Sequence, residues 1–283
     1  MQVMKWSVIA LAVAAGTSQL AFASAQSESN GFVEDSSFNV LNRNLYFSRD
    51  FRNAGPDLND DPQEWGHGII GTFESGFTQG TIGFGVDAIG MLGIKLDSGK
   101  GRTGTGLFPT GSDGRSQDDY SEAGGAVKLR LSSTVLKYGT QFTALPVLST
   151  DDSRLLPETA EGFLVTSNEI EGLELHAGHF TGINAQDQTN RDSIGLKSAD
   201  VLGGTYSFSD DLSAALYLSD VEDAFKKYYG NVNYTFGISE DQSLNFDFNI
   251  YKTDYDKEYT NTGKSEDNTI WSLAAAYNFG AHT

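Results

Sequence analysis

Basic side chains recur at alternate positions in short segments whose other residues are apolar. Lys128 and Arg130 alternate with apolar neighbours over 127–131, and Lys137 lies in the next such segment. Successive side chains of an extended strand point to opposite faces, so Lys128 and Arg130 share one polar face. A row of Lys and Arg along a wall offers successive weak sites for a carboxylate, which Arg binds bidentately. This spacing therefore favours the binding and passage of anions.

Three further charged residues are candidates for the same wall. Asp87 alternates with the apolar residues of its segment, so it points to the polar face, where it attracts cationic groups or pairs with a basic residue. Arg43 and Arg49 instead share the parity of Leu41, Leu45 and Phe47. An arginine at the middle of a lipid-facing wall costs roughly 2–4 kcal/mol. Either both lie near membrane interfaces or a bulge shifts this strand; Arg49 is kept among the wall candidates.

The segment 142–161 is a candidate constriction. It is long, contains two prolines and carries Asp151 and Asp152 beside Arg154. Acid on one side of a pore and base on the other would create a transverse field that orients a zwitterion or a carboxylate with a cationic tail. The alternative is a solvated surface loop.

Catalysis and metal binding have weaker support. The histidines are His67, His176, His179 and His282, and Glu174 beside His176 is the only hint of a base with an orienting group. No Gly-x-Ser-x-Gly segment occurs. Glu174 and His179 lie five positions apart and so point to opposite faces of a strand, which keeps three ligands from converging.

The elements that must position these residues are strands, because the apolar pattern has a period of two. The cleanest case runs from Leu244 to Tyr251. Twelve strands are predicted at about 38–52, 65–76, 80–95, 124–132, 134–141, 162–168, 172–180, 199–208, 212–220, 226–238, 243–255 and 268–280. The connections between them alternate between short and long, which is typical of an up-and-down antiparallel sheet.

Such a sheet is either a soluble sandwich or a transmembrane barrel, and three features favour the barrel. The predicted strands are about ten residues or longer, as tilted membrane-crossing strands are. Charges concentrate in the long loops. Aromatic residues end several apolar faces, as interfacial girdles do; they are Tyr206, Phe208, Tyr234, Phe236, Tyr277 and Phe279.

Composition and the N-terminus indicate the compartment. With 19 basic and 38 acidic residues, the chain has a formal net charge of −19, which argues against a nucleic-acid partner. The absence of cysteine excludes disulfides and thiolate metal sites. Residues 1–25 have the pattern of a secretory signal, cleaved after Ala23 or Ala25. The remaining residues, 26–283, are therefore expected in the envelope of a Gram-negative bacterium.

Several stretches resemble the OprD family of substrate-specific porins. They are Gly31 to Ser37, Arg43 to Arg52, Gly80 to Gly90, Gly93 to Gly99, Leu145 to Leu148 and Asp151 to Pro157. The resemblance implies an outer-membrane barrel of eighteen strands, narrowed by inward-folded loops, that passes small carboxylate-bearing solutes such as basic amino acids or aromatic acids. It also implies that about a third of the barrel lies beyond this sequence, whereas the alternative is a complete twelve-stranded barrel.

The expected function is therefore passive, selective diffusion through a basic-lined pore, without cofactor or enzymatic activity, reached by Sec export. The expected partners are small carboxylated solutes, outer-membrane lipid and lipopolysaccharide, in a monomer or a trimer. A barrel hydrolase and an adhesive or structural barrel acting through its acidic loops remain as alternatives.

Overall fold

The structure is a computed structural model and describes residues 26–52, 61–97, 103–239, 241–260 and 262–280. The signal predicted over residues 1–25 and the histidine at 282 lie outside the described residues. In the described part no helix is both long and apolar enough to cross a membrane.

Twelve long strands form one sheet, and two short strands form a hairpin inside a loop. In chain order they are β1 (Ser37–Ser48), β2 (Gln63–Glu74), β3 (Ile82–Asp97), β4 (Asp119–Leu131), β5 (Thr134–Gln141), the hairpin strands β6 (Ala144–Leu145) and β7 (Leu148–Ser149), β8 (Thr159–Ile170), β9 (Leu173–Asn184), β10 (Ala199–Ser209), β11 (Leu212–Val221), β12 (Phe225–Ser239), β13 (Gln242–Tyr255) and β14 (Glu266–Phe279).

Each strand of the sheet pairs antiparallel with the next strand of the sheet along the chain, from β1 to β14. All twelve predicted strands are present, and the largest differences in bounds are the earlier end of β1, the earlier start of β4 and the later end of β9. Within the described residues, β1 pairs only with β2 and β14 only with β13, so this sheet is not closed on itself.

The two faces of the sheet have the reverse of a soluble protein's polarity. Leu216 and Trp271 are 73% and 69% exposed on the outer face, whereas Lys128 and Arg130 are 8% and 5% exposed on the inner face. An apolar outer surface with charged side chains inside is an unfavourable arrangement for a protein surrounded by water. The same arrangement is favourable for a sheet whose outer face meets lipid and whose inner face lines a polar interior. The exposed face therefore suits a bilayer and the inner face lines an interior.

Apolar side chains also fill part of that interior, because loops fold into it. One cluster joins β2, β3 and β4 to buried loop residues, namely Ile70, Ile89, Met91, Leu107, Phe108, Tyr120, Leu155 and Leu156. A second cluster joins β8 to β11 to the β6–β7 hairpin and includes Leu145, Val147, Phe180, Val201 and Tyr217. These two clusters are the only parts of the described chain in which buried apolar residues form a core.

Candidate functional site

The inner face of β1 differs from the prediction. Arg43, Leu45 and Phe47 are partly buried on this face, while Tyr46 is 56% exposed on the other. Leu45 and Phe47 pack on the loop residues of the first apolar cluster rather than on lipid. No bulge is needed, since the β1–β2 register runs unbroken over all twelve residues. The β1–β2 register thus excludes a shifted register over β1, and the inward position of Arg43 does not require an interfacial position.

The loop between β5 and β8 crosses the interior. Leu145 and Val147, in the β6–β7 hairpin, pack against the inner faces of β9 to β11, and Ser219 donates a hydrogen bond to the carbonyl of Val147 at 3.3 Å. Farther along the loop, Leu155 and Leu156 pack against the inner faces of β2 to β4. A loop that contacts two separated parts of one sheet from the same side must lie inside its curve.

Two glycines of β2 let this loop approach the wall. A Cβ at Gly66 would lie 2.6 Å from Cζ of Phe108 and 2.7 Å from a Cδ of Leu155. A Cβ at Gly68 would lie 2.7 Å from the carbonyl oxygen of Leu155. Any larger residue would have to push the loops inwards, so these positions fix how closely the loops lie against β2.

Arg43 holds the same loop electrostatically. Its guanidinium donates to both carboxylate oxygens of Asp152, at 2.7 and 2.9 Å, and to the carbonyl of Arg154 at 2.5 Å. Asp151 accepts hydrogen bonds from the backbone and side chain of Ser153 at 2.8 and 2.9 Å. The two aspartates predicted to supply the acidic side of a transverse field are thus engaged in holding and shaping the loop.

A cavity of about 340 Å³ carries the opposed charges instead. Arg49 and Arg154 line it together with Glu158 and Asp187. The guanidinium carbons of Arg49 and Arg154 lie 4.7 and 4.9 Å from the centroid of Phe47, so the same ring supports both cations. Two fixed cations and two carboxylates in one cavity can bind a carboxylate and orient a cationic group on the same solute.

Glu158, Asp187 and Phe47 were not predicted. Partial burial raises the pKa of Glu158, and the nearby charge of Asp151 raises it further, although a hydrogen bond from the Asp151 amide opposes this. Phe47 could have been recognised, because it lies two positions before Arg49 on the same face. Asp187 lies in the β9–β10 loop, far along the chain, and nothing in its local sequence indicates the contact.

The β3–β4 and β9–β10 loops also turn inwards. Glu64, fully buried on β2, accepts hydrogen bonds from Thr105 and from the hydroxyl of Ser116. The Tyr120 hydroxyl contacts the carbonyls of Leu107 and Gln186 at 2.9 and 3.0 Å. Three inward-folded loops and Arg49, which follows β1, therefore line the cavity, whereas the only constricting segment located in the sequence was 142–161.

Lys128, Lys137 and Asp87 meet on the inner face nearer the short turns. The Nζ atoms of Lys128 and Lys137 lie 2.6 and 2.5 Å from the two carboxylate oxygens of Asp87. One carboxylate thus partly neutralises two cations. Arg130 also faces inwards, but it is covered: its Nε donates to Oε1 of Gln26 at 2.7 Å and it is only 5% exposed.

The two histidines of β9 point to opposite faces of the sheet and have separate partners. His176 Nδ1 lies 3.1 Å from the Tyr217 hydroxyl, and its Nε2 lies 3.7 Å from Glu174. His179 faces outwards and pairs with Asp200 at 2.7 Å. Among the described residues, no three His, Asp or Glu side chains are placed to hold a metal ion.

Comparison with known proteins agrees with an inward-looped β-barrel wall. Residues 30–283 match the family described as outer membrane porin, OprD family. The chain belongs to the OprD family. Its relatives are porins, which are channel proteins rather than enzymes, and this membership places the chain in the outer membrane of a Gram-negative bacterium.

Individual relatives support the same assignment. Porin D of Pseudomonas aeruginosa is 50% identical over 297 aligned residues, which cover 100% of this chain and 65% of that protein. The structure of OccAB1 from Acinetobacter baumannii has a TM-score of 0.84 at 36% identity, covering 90% of this chain and 65% of the other. OpdK of Pseudomonas aeruginosa, solved with vanillate, has a TM-score of 0.77 at 32% identity over 88% and 65% of the two chains. The chain thus spans about two thirds of the length of each.

Proposed function

We propose that this OprD-family protein gives passive, selective diffusion to small carboxylate-bearing solutes, and that Arg49 and Arg154 provide the carboxylate site in its narrowest part. The observation that carries this proposal is the cavity that Arg49, Arg154, Glu158 and Asp187 line together, with both arginines resting on Phe47. A passive pore selects by the charges at its constriction, since these set which solutes enter and how long they stay.

The mixed charges of the cavity favour a solute with both signs. The two arginines suit a carboxylate, because a guanidinium binds it in a bidentate manner. Glu158 and Asp187 suit an ammonium or guanidinium group on the same molecule. A basic amino acid meets both requirements, whereas an aromatic acid such as the vanillate named with OpdK meets only the first. We therefore expect arginine to pass faster than benzoate.

Swelling of liposomes that contain the full-length protein tests this function. Arginine, benzoate and glucose would be compared at equal osmolarity, for the unmodified protein and for the double variant Arg49→Ala/Arg154→Ala. We expect the double variant to slow entry of both carboxylates several-fold and to leave glucose entry unchanged or faster. Arg115→Ala, at an exposed loop position, is the matched control and should change none of the rates.

Two outcomes would contradict the proposal. Equal slowing of glucose would mean that the arginines hold the loops open rather than select carboxylates. No swelling by any solute with well-folded protein would favour the adhesive or structural barrel, which the acidic loops would then explain. For either outcome the folded state is checked by resistance of the barrel to unfolding in detergent.

A further inference from the structure

The segment before β1 lies against the inner face of the sheet, at the rim with the short turns. Gln26 donates from its backbone to the carbonyl of Ser132 at 3.0 Å and from its side chain to the carbonyl of Thr78 at 2.7 Å. Ser29 donates to the carbonyl of Phe77 at 2.7 Å. The segment therefore bridges the β2–β3 and β4–β5 turns, which mark the periplasmic rim of a barrel.

The side chain of Gln26 contacts the edge of the Arg130 guanidinium that carries Nε and Nη2. Its Oε1 accepts from Nε at 2.7 Å, and both residues are about 95% buried, with exposures of 4% and 5%. The neighbouring Nη2 of Arg130 is buried and has no hydrogen-bond partner among the described residues. Nε and Nη2 together form the edge of a guanidinium that binds both oxygens of a carboxylate. The Gln26 amide oxygen therefore satisfies Nε but leaves Nη2 unpaired, whereas the two oxygens of a carboxylate would satisfy both donors.

The surroundings of Arg130 complete that site. Its guanidinium carbon lies 4.3 Å from the centroid of Phe77, and Nζ of Lys128 lies 5.1 Å from the same ring. Lys128 is two positions from Arg130 on the same face, and although its Nζ pairs with Asp87 at 2.6 Å, it adds positive charge beside the Arg130 guanidinium. The covering segment 26–36 contains three acidic residues and no basic residue, so it is attracted electrostatically to the basic wall beneath it.

We propose that Gln26 is a displaceable internal cap on a second carboxylate site, formed by Arg130, Lys128 and Phe77 at the periplasmic end of the interior. A solute carboxylate that reaches this end takes both Nε and Nη2, displaces the glutamine amide and moves the segment 26–36 away from the wall. The segment thus regulates exit on the periplasmic side. Both predicted signal cleavage points leave Gln26 in the mature chain. This inference rests on the proposed function, because it concerns the path of the same carboxylates.

Two substitutions at Gln26 should change carboxylate binding at Arg130 in opposite directions. Gln26→Ala uncovers the guanidinium, whereas Gln26→Glu supplies a permanent carboxylate to the same edge. Benzoate is the probe, added on the periplasmic side of single channels of the full-length protein in planar bilayers. Charge-assisted hydrogen bonds are strong enough that we expect benzoate to block Gln26→Ala at a concentration about tenfold lower, and Gln26→Glu at a higher one, than the unmodified channel. When Arg130→Ala is added to each of these proteins, benzoate should block all of them at the same concentration.

A second measurement keeps the inference separate from the function itself. The unfolding midpoint of the folded protein in detergent would be measured with and without benzoate for the same variants. Benzoate should raise the unfolding midpoint of Gln26→Ala more than that of the unmodified protein, and this extra rise should disappear in Arg130→Ala/Gln26→Ala. Gln63→Ala, whose side chain bonds Tyr46 elsewhere in the sheet, is the matched control.

The outcomes are distinguishable. Channels that benzoate blocks equally with Gln, Ala or Glu at position 26 would overturn the cap while leaving the pore intact. Absence of channels would contradict the proposed function, and the unfolding midpoints would then test the Arg130 site alone. Benzoate shifts that differ between Gln26→Ala and the unmodified protein would support the site, and equal shifts would overturn it.

Discussion

At the scale of residues, the basic side chains of the interior differ in how much of each guanidinium is covered by protein and how much borders open space. Arg43 is bound to Asp152 and the adjoining loop, and Arg130 is covered by Gln26. Arg49 and Arg154 border an open cavity, with the ring of Phe47 beneath both. Arg154 is positioned there by its Nε, which donates to the carbonyl of Thr105 at 3.2 Å, and by its Nη1, which donates to the hydroxyl and carbonyl of Ser153 at 2.9 and 3.1 Å. Inward orientation alone therefore does not make a basic residue a solute site; its hydrogen-bond partners decide.

Asp87 is the residue whose removal should change selectivity most clearly. Asp87→Asn deletes the carboxylate that both Lys128 and Lys137 contact, which leaves one buried and one partly buried cation without their counter-charge. We expect the reversal potential in a salt gradient to shift towards anion selectivity, with a loss of thermal stability because a buried ion pair is broken.

The matched control is Asp220→Asn, which makes the same charge change on the outer face, where Asp220 pairs with Lys226 at 2.6 Å. A reversal potential that moves equally in the two variants would mean that overall charge, rather than the lysine pair, sets the selectivity.

At the scale of elements, strands were predictable and loop positions were not. The period of two located all twelve long strands, because each strand's own sequence records which face is apolar. The same reasoning failed for β1, since Leu45 and Phe47 face inward-folded loops rather than lipid. Glu158 and Asp187 could not be found from sequence, because they meet only after two distant loops enter the interior.

Gly66 on β2 tests whether the loops depend on close approach to the wall. A methyl group there would lie 2.6 Å from Phe108 and 2.7 Å from Leu155, so Gly66→Ala should displace both loops. We expect a changed single-channel conductance, noisier open states and faster protease cleavage of the 142–158 segment.

Gly90→Ala provides the control, because a Cβ at Gly90, on the adjacent strand β3, meets nothing within 4 Å. The packing account of the constriction would be wrong if both substitutions left conductance and cleavage alike.

At the scale of the whole molecule, a wide apolar surface surrounds a charged interior. Leu216 is 73% exposed near the middle of β11 and faces outwards. If lipid covers this face, Leu216→Arg should destabilise the folded protein in bilayers by about 2–4 kcal/mol. Thr262→Arg in the exposed loop before β14 should have little effect. Equal, small effects of both substitutions in a lipid unfolding titration would favour a sheet that meets water.

Single-channel recording shows whether Arg154 and Arg49 bind carboxylates in the cavity as proposed. Current through the full-length protein would be measured in planar bilayers while arginine is added, first for the unmodified channel and then for Arg154→Ala. We expect discrete channels that arginine blocks, with block weakened about tenfold in the variant because one charge-assisted contact is lost. Block of the same strength in Arg154→Ala and the unmodified channel would contradict it.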